Sequence, residues 1–303
     1  MSSFLKKTAL LSAIVLICLF PFGCGNNSKD ADIITTLYPQ YDIARQIAGG
    51  KLSVRLLIPF GTEIHGYEPT AKEIVAANNA KLFIFTDLLL ERWVEGLIAH
   101  DVNTLDLSKC FTLEPLSSPG YGAEDLHYWT DPTTILQLID AILAEIIEAD
   151  PENEAFYTEN AREYYLEIED LHLDAAAYFS KLQNPQIYFA GHNAMGAFGA
   201  RYGISIRALS ESFKPDADLT PKQLESIIEE LTAAGSHFLF TEELTEPRAA
   251  LTIKSQLEKR GHQLTLLELH GYHNISKHQN EQGVTYADLF RQNLINIKTA
   301  LDD

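Results

Sequence analysis

Apolar residues along this chain follow two alternating patterns. Short apolar runs at 32–37, 52–58, 82–85 and 104–107 read as strands, and segments with apolar residues at helical spacing, 39–47, 71–78 and 88–99, lie between them. Thr70 and Glu73 form a capping box that opens the helix at 71–78, and Gly49-Gly50 stops the one at 39–47. Residues 132–182 carry no strand signal. Asp131-Pro132 opens a helix in which Ile135, Leu136, Ile139, Ile142, Leu143 and Ile146 repeat at helical spacing, and Asp150-Pro151 breaks it. A second helix, 152–182, has no internal breaker and would be about 45 Å long, a stiff strut able to span two domains. Alternation then returns. Strands are expected at 186–190, 205–210, 238–241 and 263–269, with helices opened by Thr220-Pro221, by Thr245 with Pro247 close behind, and by Thr285, the last running to Leu301. This pattern predicts an α/β protein made of two parallel-sheet (β/α)4 domains joined by one long rigid helix. The two halves show no sequence repeat to the eye.

Composition narrows the function. The chain has 303 residues, 46% apolar and 21% charged, with 23 basic against 42 acidic side chains and a formal charge of −19. That balance disfavours nucleic acid and attracts cations over distance, although charge also serves solubility alone. Near the start, Lys6 and Lys7 precede an apolar run from Thr8 to Phe22 that ends at Gly23-Cys24. The run is too short for a stable spanning helix, and the polar stretch 25–30 reads as a flexible tether. The segment resembles a bacterial lipoprotein signal, in which Cys24 becomes the lipidated first residue. Pro21 and Phe22 depart from the usual small residues there, and an ordinary secretory signal cut nearby is the alternative. With Cys18 removed and Cys24 lipidated, Cys110 stands alone, so no internal disulfide is expected. No other long apolar run exists, and the mature protein is not expected to span a membrane.

Ten histidines are present, and their position relative to the strands separates them. His65 follows the second expected strand, His127 the fourth, His192 the fifth and His273 the eighth. Ligands of open parallel sheets bind beyond the carboxyl ends of strands, so these four could converge in a cleft between the domains, two from each. A lone loop histidine is more often a solvated polar residue, and His100, His172, His237 and His262, on helices or at strand starts, carry no such suggestion. No His-Glu-x-x-His or Cys-x-x-Cys pair occurs, nor a Gly-x-Ser-x-Gly elbow or a P-loop, and nothing points to an enzyme.

The wording around these histidines is more specific. His65-Gly66-Tyr67-Glu68-Pro69, His127-Tyr128-Trp129-Thr130-Asp131-Pro132, the Gly191-His192 turn with Phe198 and Arg201-Tyr202-Gly203, and the closing Tyr286-to-Leu294 stretch occur in one order. Together they resemble the zinc and manganese solute-binding lipoproteins of bacterial ABC importers, solute-binding protein family 9, over nearly all of the mature chain. The resemblance implies metal ligands at His65, His127 and His192, and a fourth that falls on His273 when counted back from the closing helix. His270 and His278 compete for that place. Four imidazoles suit Zn(II), whereas Mn(II) favours carboxylate oxygen, which the family's manganese members carry at the third and fourth positions. Manganese or iron is the alternative cargo. Glu68 and Asp131 are near enough in sequence to orient an imidazole, although Asp131 reads better as a helix cap. The stretch 110–126 has no histidine, so the His-rich accessory loop of some zinc members is lacking.

The resemblance further implies a monomer held to a bacterial membrane by its lipid, on the extracytoplasmic side, delivering zinc to the permease of an ABC importer. A surface adhesin is the alternative role. The implied division is a signal peptide at 1–23, a tether at 24–31, an N-terminal metal-binding lobe at 32–150, a linking helix at 151–183 and a C-terminal lobe at 184–303. The polar, glycine-flanked loop 270–283 reads as the least constrained of the ligand-bearing segments.

Overall fold

Strands that are covered on both faces cannot alternate apolar and polar residues, and the central strands of this chain do not. A computed structural model describes residues 31–64, 66–112, 126–192, 194–208 and 220–302. Within them, β1 (Ile33–Thr35), β2 (Val54–Leu56), β3 (Leu82–Phe85) and β4 (Thr104–Asp106) form a parallel sheet in the order β2-β1-β3-β4. Ile33 pairs with Val54 on one side and Leu82 on the other, and Phe83 pairs with Thr104. Ile33, Ile34, Leu82, Phe83 and Ile84 are fully buried. A second parallel sheet, β5 (Gln186–Ala190), β6 (Ser205–Ala208), β7 (Phe238–Thr241) and β8 (Thr265–Glu268), has the order β6-β5-β7-β8. The two sheets thus share a topology without a sequence repeat, and the reversal of strand order falls between β1 and β3 in one and between β5 and β7 in the other. Clefts open at such reversals.

Helices α1 (Tyr38–Ala48), α2 (Ala71–Asn78) and α3 (Trp93–Leu97) connect the first sheet, and α6 (Gly196–Tyr202), α7 (Pro221–Ala234) and α8 (Arg248–Lys259) the second. Between the sheets lie α4 (Pro132–Ala149) and α5 (Glu154–Phe179). The 26 residues of α5 span about 39 Å. It packs on α1 and α4 and also touches α6 and α10 (Tyr286–Leu301), so one helix braces both halves. No helix among the described residues is long and apolar enough to cross a membrane.

Three local expectations are corrected. The helix expected over 88–99 is only α3. Glu91 turns its carboxylate back to accept from the N–H groups of Thr86 (2.6 Å) and Asp87 (3.2 Å), a side-chain-to-backbone bond that competes with helix formation. Thr245 does not cap α8, which starts after Pro247 with no side-chain cap. The loop after β8 is not loosely held. Residues 270–275 are buried, and Ser276 and Gln279 form a capping box for the short helix α9 (Lys277–Glu281). The Asn274 amide donates to the carbonyls of Pro59 (2.8 Å) and Thr62 (3.0 Å), and the Gly61 N–H donates to the Ile275 carbonyl (2.8 Å). Asn274 thus fastens this segment to the loop after β2, while Ser276 and Gln279 are taken up in capping α9.

Candidate metal centre

Two of the histidines at the centre follow a strand end within a few residues, and the third leads into a helix. His127 lies between β4 and α4 and leads into a 3-10 turn, Tyr128–Thr130, in which the Thr130 N–H and hydroxyl both donate to its carbonyl at 3.0 Å. The Tyr128 hydroxyl donates to the Thr86 carbonyl (2.8 Å), and the Trp129 indole N–H to the Gly271 carbonyl (2.9 Å). Aromatic side chains therefore fix the His127 turn to both halves of the molecule. His192 follows β5 and is completely buried, and His273 follows β8.

The three imidazoles form a near-equilateral triangle, with ring centroids 5.2 Å apart for His127–His192, 5.2 Å for His127–His273 and 5.1 Å for His192–His273. A ligand atom from each lies within 4.8 Å of the others. Nε2 of His192 is 3.4 Å from Nε2 of His127. Bonds of about 2.0–2.1 Å to a tetrahedral zinc place neighbouring nitrogens about 3.3–3.4 Å apart, so this pair already has the spacing of two ligands of one ion.

Behind two of the rings stand carboxylates that sequence reasoning missed. Nδ1 of His192 lies 2.6 Å from Oε1 of Glu242, and Nδ1 of His273 lies 3.0 Å from Oε1 of Glu243. Oε2 of Glu243 accepts the Gly271 N–H at 2.8 Å. A signal for both was present: Glu242-Glu243 directly follows β7, at the same carboxyl edge that singles out the histidines. Carboxylates on the far nitrogens orient imidazoles and raise their basicity toward a metal. Burial pushes the His273 pKa down to about 3, reinforced by His127 and His192 and opposed by Glu243, so its ring is neutral. Burial also raises Glu242, against the pull of His192. For Glu243 burial works in the same direction but is outweighed by the imidazoles of His270 and His273 and the Gly271 N–H, which hold it ionised.

The remaining candidates fall elsewhere. Asp131 caps α4 through the Thr133 N–H (2.9 Å) and pairs with Arg201 of α6, accepting from Nε at 2.9 Å and from the terminal nitrogen at 2.8 Å. Its oxygens are thus taken up by a helix end and a guanidinium. Glu68 is exposed. His278 is exposed on α9, whereas His270 is buried and accepts the Tyr272 N–H on Nδ1 at 2.9 Å. His172 meets the Tyr202 hydroxyl, and His237 and His262 stack on each other at 4.9 Å, all away from the centre. His65 and Cys24 lie outside the described residues.

The family model described as the zinc-uptake complex component A, periplasmic (ZnuA), matches residues 33–300. The chain belongs to the ZnuA family. Over 327 aligned residues it is 28% identical to the high-affinity zinc uptake system protein ZnuA of Bacillus subtilis (strain 168), covering 98% of each. It is 27% identical to the manganese-binding lipoprotein MntA of Halalkalibacterium halodurans, over 74% of this chain and 77% of that one. Among solved structures, the Zn(II)-bound ZnuA-like domain of Streptococcus pneumoniae AdcA superposes with a TM-score of 0.76 at 25% identity, covering 90% of this chain and 99% of that domain. As a ZnuA-family protein, the chain is a metal-binding component of an uptake system, and its paired four-stranded sheets are the fold of its relatives.

Proposed function

We propose that this ZnuA-family chain captures Zn(II) between its two sheets through His65, His127, His192 and His273 and passes it to the membrane permease of an ABC importer. The observation that carries the reading is the imidazole triangle, with the 3.4 Å separation of the His127 and His192 Nε2 atoms. Neutral imidazoles suit zinc, and a set of four closes a tetrahedral site. Glu242 and Glu243 each stand against a ring nitrogen, and Glu243, held ionised, offsets part of the charge of a dication. In this reading His65 provides the fourth nitrogen. A site closed by four protein ligands has no position for a reacting water, so the role is carriage rather than catalysis.

The same reading assigns residues 1–23 to a signal peptide, Cys24 to the lipid anchor and 24–31 to a tether. Residues 32–150 and 184–303 form the two metal-binding lobes of a monomer on the extracytoplasmic face, linked by 151–183. The deciding experiment is calorimetric titration of chelator-stripped protein with Zn(II) and Mn(II). One tightly bound zinc per chain, outcompeting manganese, is expected. Manganese binding as tightly as zinc would overturn the choice of cargo, and failure to bind either metal would overturn the site.

A further inference from the structure

The loop after β8 presents two buried histidines, His270 and His273, to one carboxylate. Oε1 of Glu243 lies 3.8 Å from Nδ1 of His270 and 3.0 Å from Nδ1 of His273. Both rings are almost fully buried, and composition alone gives no reason to prefer either as a ligand. We propose that Glu243 is a positioning residue that selects His273 over His270 for the metal: it holds the His273 proton on Nδ1 and fastens the turn in which the Tyr272 N–H takes the Nδ1 of His270, so the two rings carry their protons on opposite nitrogens. The inference rests on the reading of His273 as a zinc ligand.

The hydrogen bonds define the two tautomers. A carboxylate only accepts, so His273 carries its proton on Nδ1 and keeps the lone pair of Nε2 for the centre. A backbone N–H only donates, so the Tyr272 N–H occupies the Nδ1 lone pair of His270 and leaves the proton of that ring on Nε2. With Nδ1 accepting that bond and Nε2 bearing the proton, His270 has no lone pair to offer a metal. Its Nε2 is buried and has no hydrogen-bond partner among the described residues.

The backbone between the rings is built to hold this arrangement. Tyr272 has φ +63°, a left-handed conformation that a bulky residue adopts only under restraint. The restraint is visible: the ring stacks on Tyr286 at 4.4 Å between centroids, and the hydroxyl accepts from the Asn293 amide at 2.9 Å. Asn293 also accepts the His270 N–H and donates to the His270 carbonyl, both at 2.8 Å. Glu243 closes the turn from the other side, its second oxygen on the Gly271 N–H. One carboxylate therefore sets the turn and orients the ring that leaves it.

The test is long-range proton–nitrogen NMR of the full chain with labelled histidines, metal-free and zinc-loaded, for the natural protein, Glu243→Leu and Glu243→Gln. In the natural protein His273 is expected as the Nδ1–H tautomer and His270 as the Nε2–H tautomer in both states, with zinc shifting the Nε2 of His273 and neither nitrogen of His270. Glu243→Leu should mix the His273 tautomers and weaken zinc binding about 10–100-fold, the usual cost of losing such a partner. The Gln side chain retains one acceptor, enough for the His273 proton or the Gly271 N–H but not both, and should recover part of the loss. An unchanged His273 tautomer in Glu243→Leu, or a zinc shift on His270 in the natural protein, would overturn the selection. The metal-free spectra report the tautomers even if zinc is not the cargo, so that failure of the functional reading is seen separately, as absent zinc binding by the natural protein.

Discussion

Nδ1 of His192 and Oε1 of Glu242 lie 2.6 Å apart, across the reversal of strand order in the second sheet. His192 follows β5 and Glu242 follows β7, neighbouring strands whose residues pair as Phe189 with Phe240 and Ala190 with Thr241. The register sets the two strand ends side by side, and the turn after Ala190 then brings the His192 ring against Glu242. With its far nitrogen engaged, the ring turns Nε2 toward His127.

Removing the Glu242 carboxylate should accordingly act on the metal rather than on the fold. Glu242→Ala is expected to lower zinc affinity by about 10–100-fold, with Glu242→Gln less severe because its amide oxygen still accepts from the ring. Calorimetric titration of both variants checks this. Equal affinity in the natural protein and Glu242→Ala would show that the ring is oriented by packing alone.

Glu91 gives the fold a pH dependence of its own. Burial, the largest influence, raises its pKa to about 7, against the opposing Thr36 hydroxyl and the Thr86 and Asp87 N–H groups, while the Asp87 charge adds to the rise. The free carboxyl value is 4.5, so between there and about 7 the folded chain binds the additional proton. Its contribution to stability is complete below the unfolded value and is lost as the pH rises through about 7. Glu91→Gln, which resembles the protonated acid, should flatten that fall. Melting temperatures of metal-free protein from pH 4.5 to 8 provide the measurement, and parallel curves for the two proteins would refute the assignment.

The alternation of short apolar runs with helical stripes made both sheets legible in the sequence. Runs such as Leu82–Phe85 and Phe238–Thr241 sit where expected because a strand covered on both faces must be continuously apolar. Asp131 capping α4 was legible for a similarly local reason. Glu91 was not, because its side chain turns back on backbone four and five residues before it, which apolar spacing does not register. The loop after β8 was not, because it is held by side chains reaching distant backbone: Asn274 bonds carbonyls more than 200 residues away. For the centre, the strand-end rule brought out His127, His192 and His273, which the fold gathers into one triangle. The rule was applied to histidines only and so passed over Glu242 and Glu243, which obey it equally.

Arg201 should matter more than its surface position suggests. Its guanidinium is 16% exposed, but the Asp131 carboxylate it grips is 1% exposed, and the pair ties the N-terminus of α4 to α6. Arg201→Met would leave a buried carboxylate with only its cap bonds to Thr133. Removing one partner of a buried pair costs about 3–5 kcal/mol, and partial exposure of the arginine puts the expected loss nearer about 2–3 kcal/mol. Urea unfolding of metal-free protein measures it, and a loss below about 0.5 kcal/mol would place the pair among ordinary surface contacts.

Gly271 is the position where the smallest change should have the most selective effect. A Cβ there would sit 2.6 Å from Cε1 and 2.7 Å from Nδ1 of His273, and 3.4 Å from Oε1 of Glu243. The first two distances are too short to persist, so the imidazole must move. It cannot move without loosening the 3.0 Å bond to Glu243 that orients it. The glycine backbone itself is held on both sides, its N–H by Glu243 and its carbonyl by the Trp129 indole, so the backbone cannot absorb the clash. Gly271 does not adopt a positive φ, which means that alanine is excluded by the neighbouring ring rather than by conformational strain. Gly271→Ala is therefore expected to weaken zinc binding at least tenfold by calorimetry, and a second change, His273→Ala, should add little to it because the ring is already displaced. Gly283→Ala, at a glycine with open space around it but φ +73°, supplies the converse control: it should cost stability while leaving zinc affinity unchanged. Full zinc affinity in Gly271→Ala would show that the ring can shift within the centre without losing its ligand geometry.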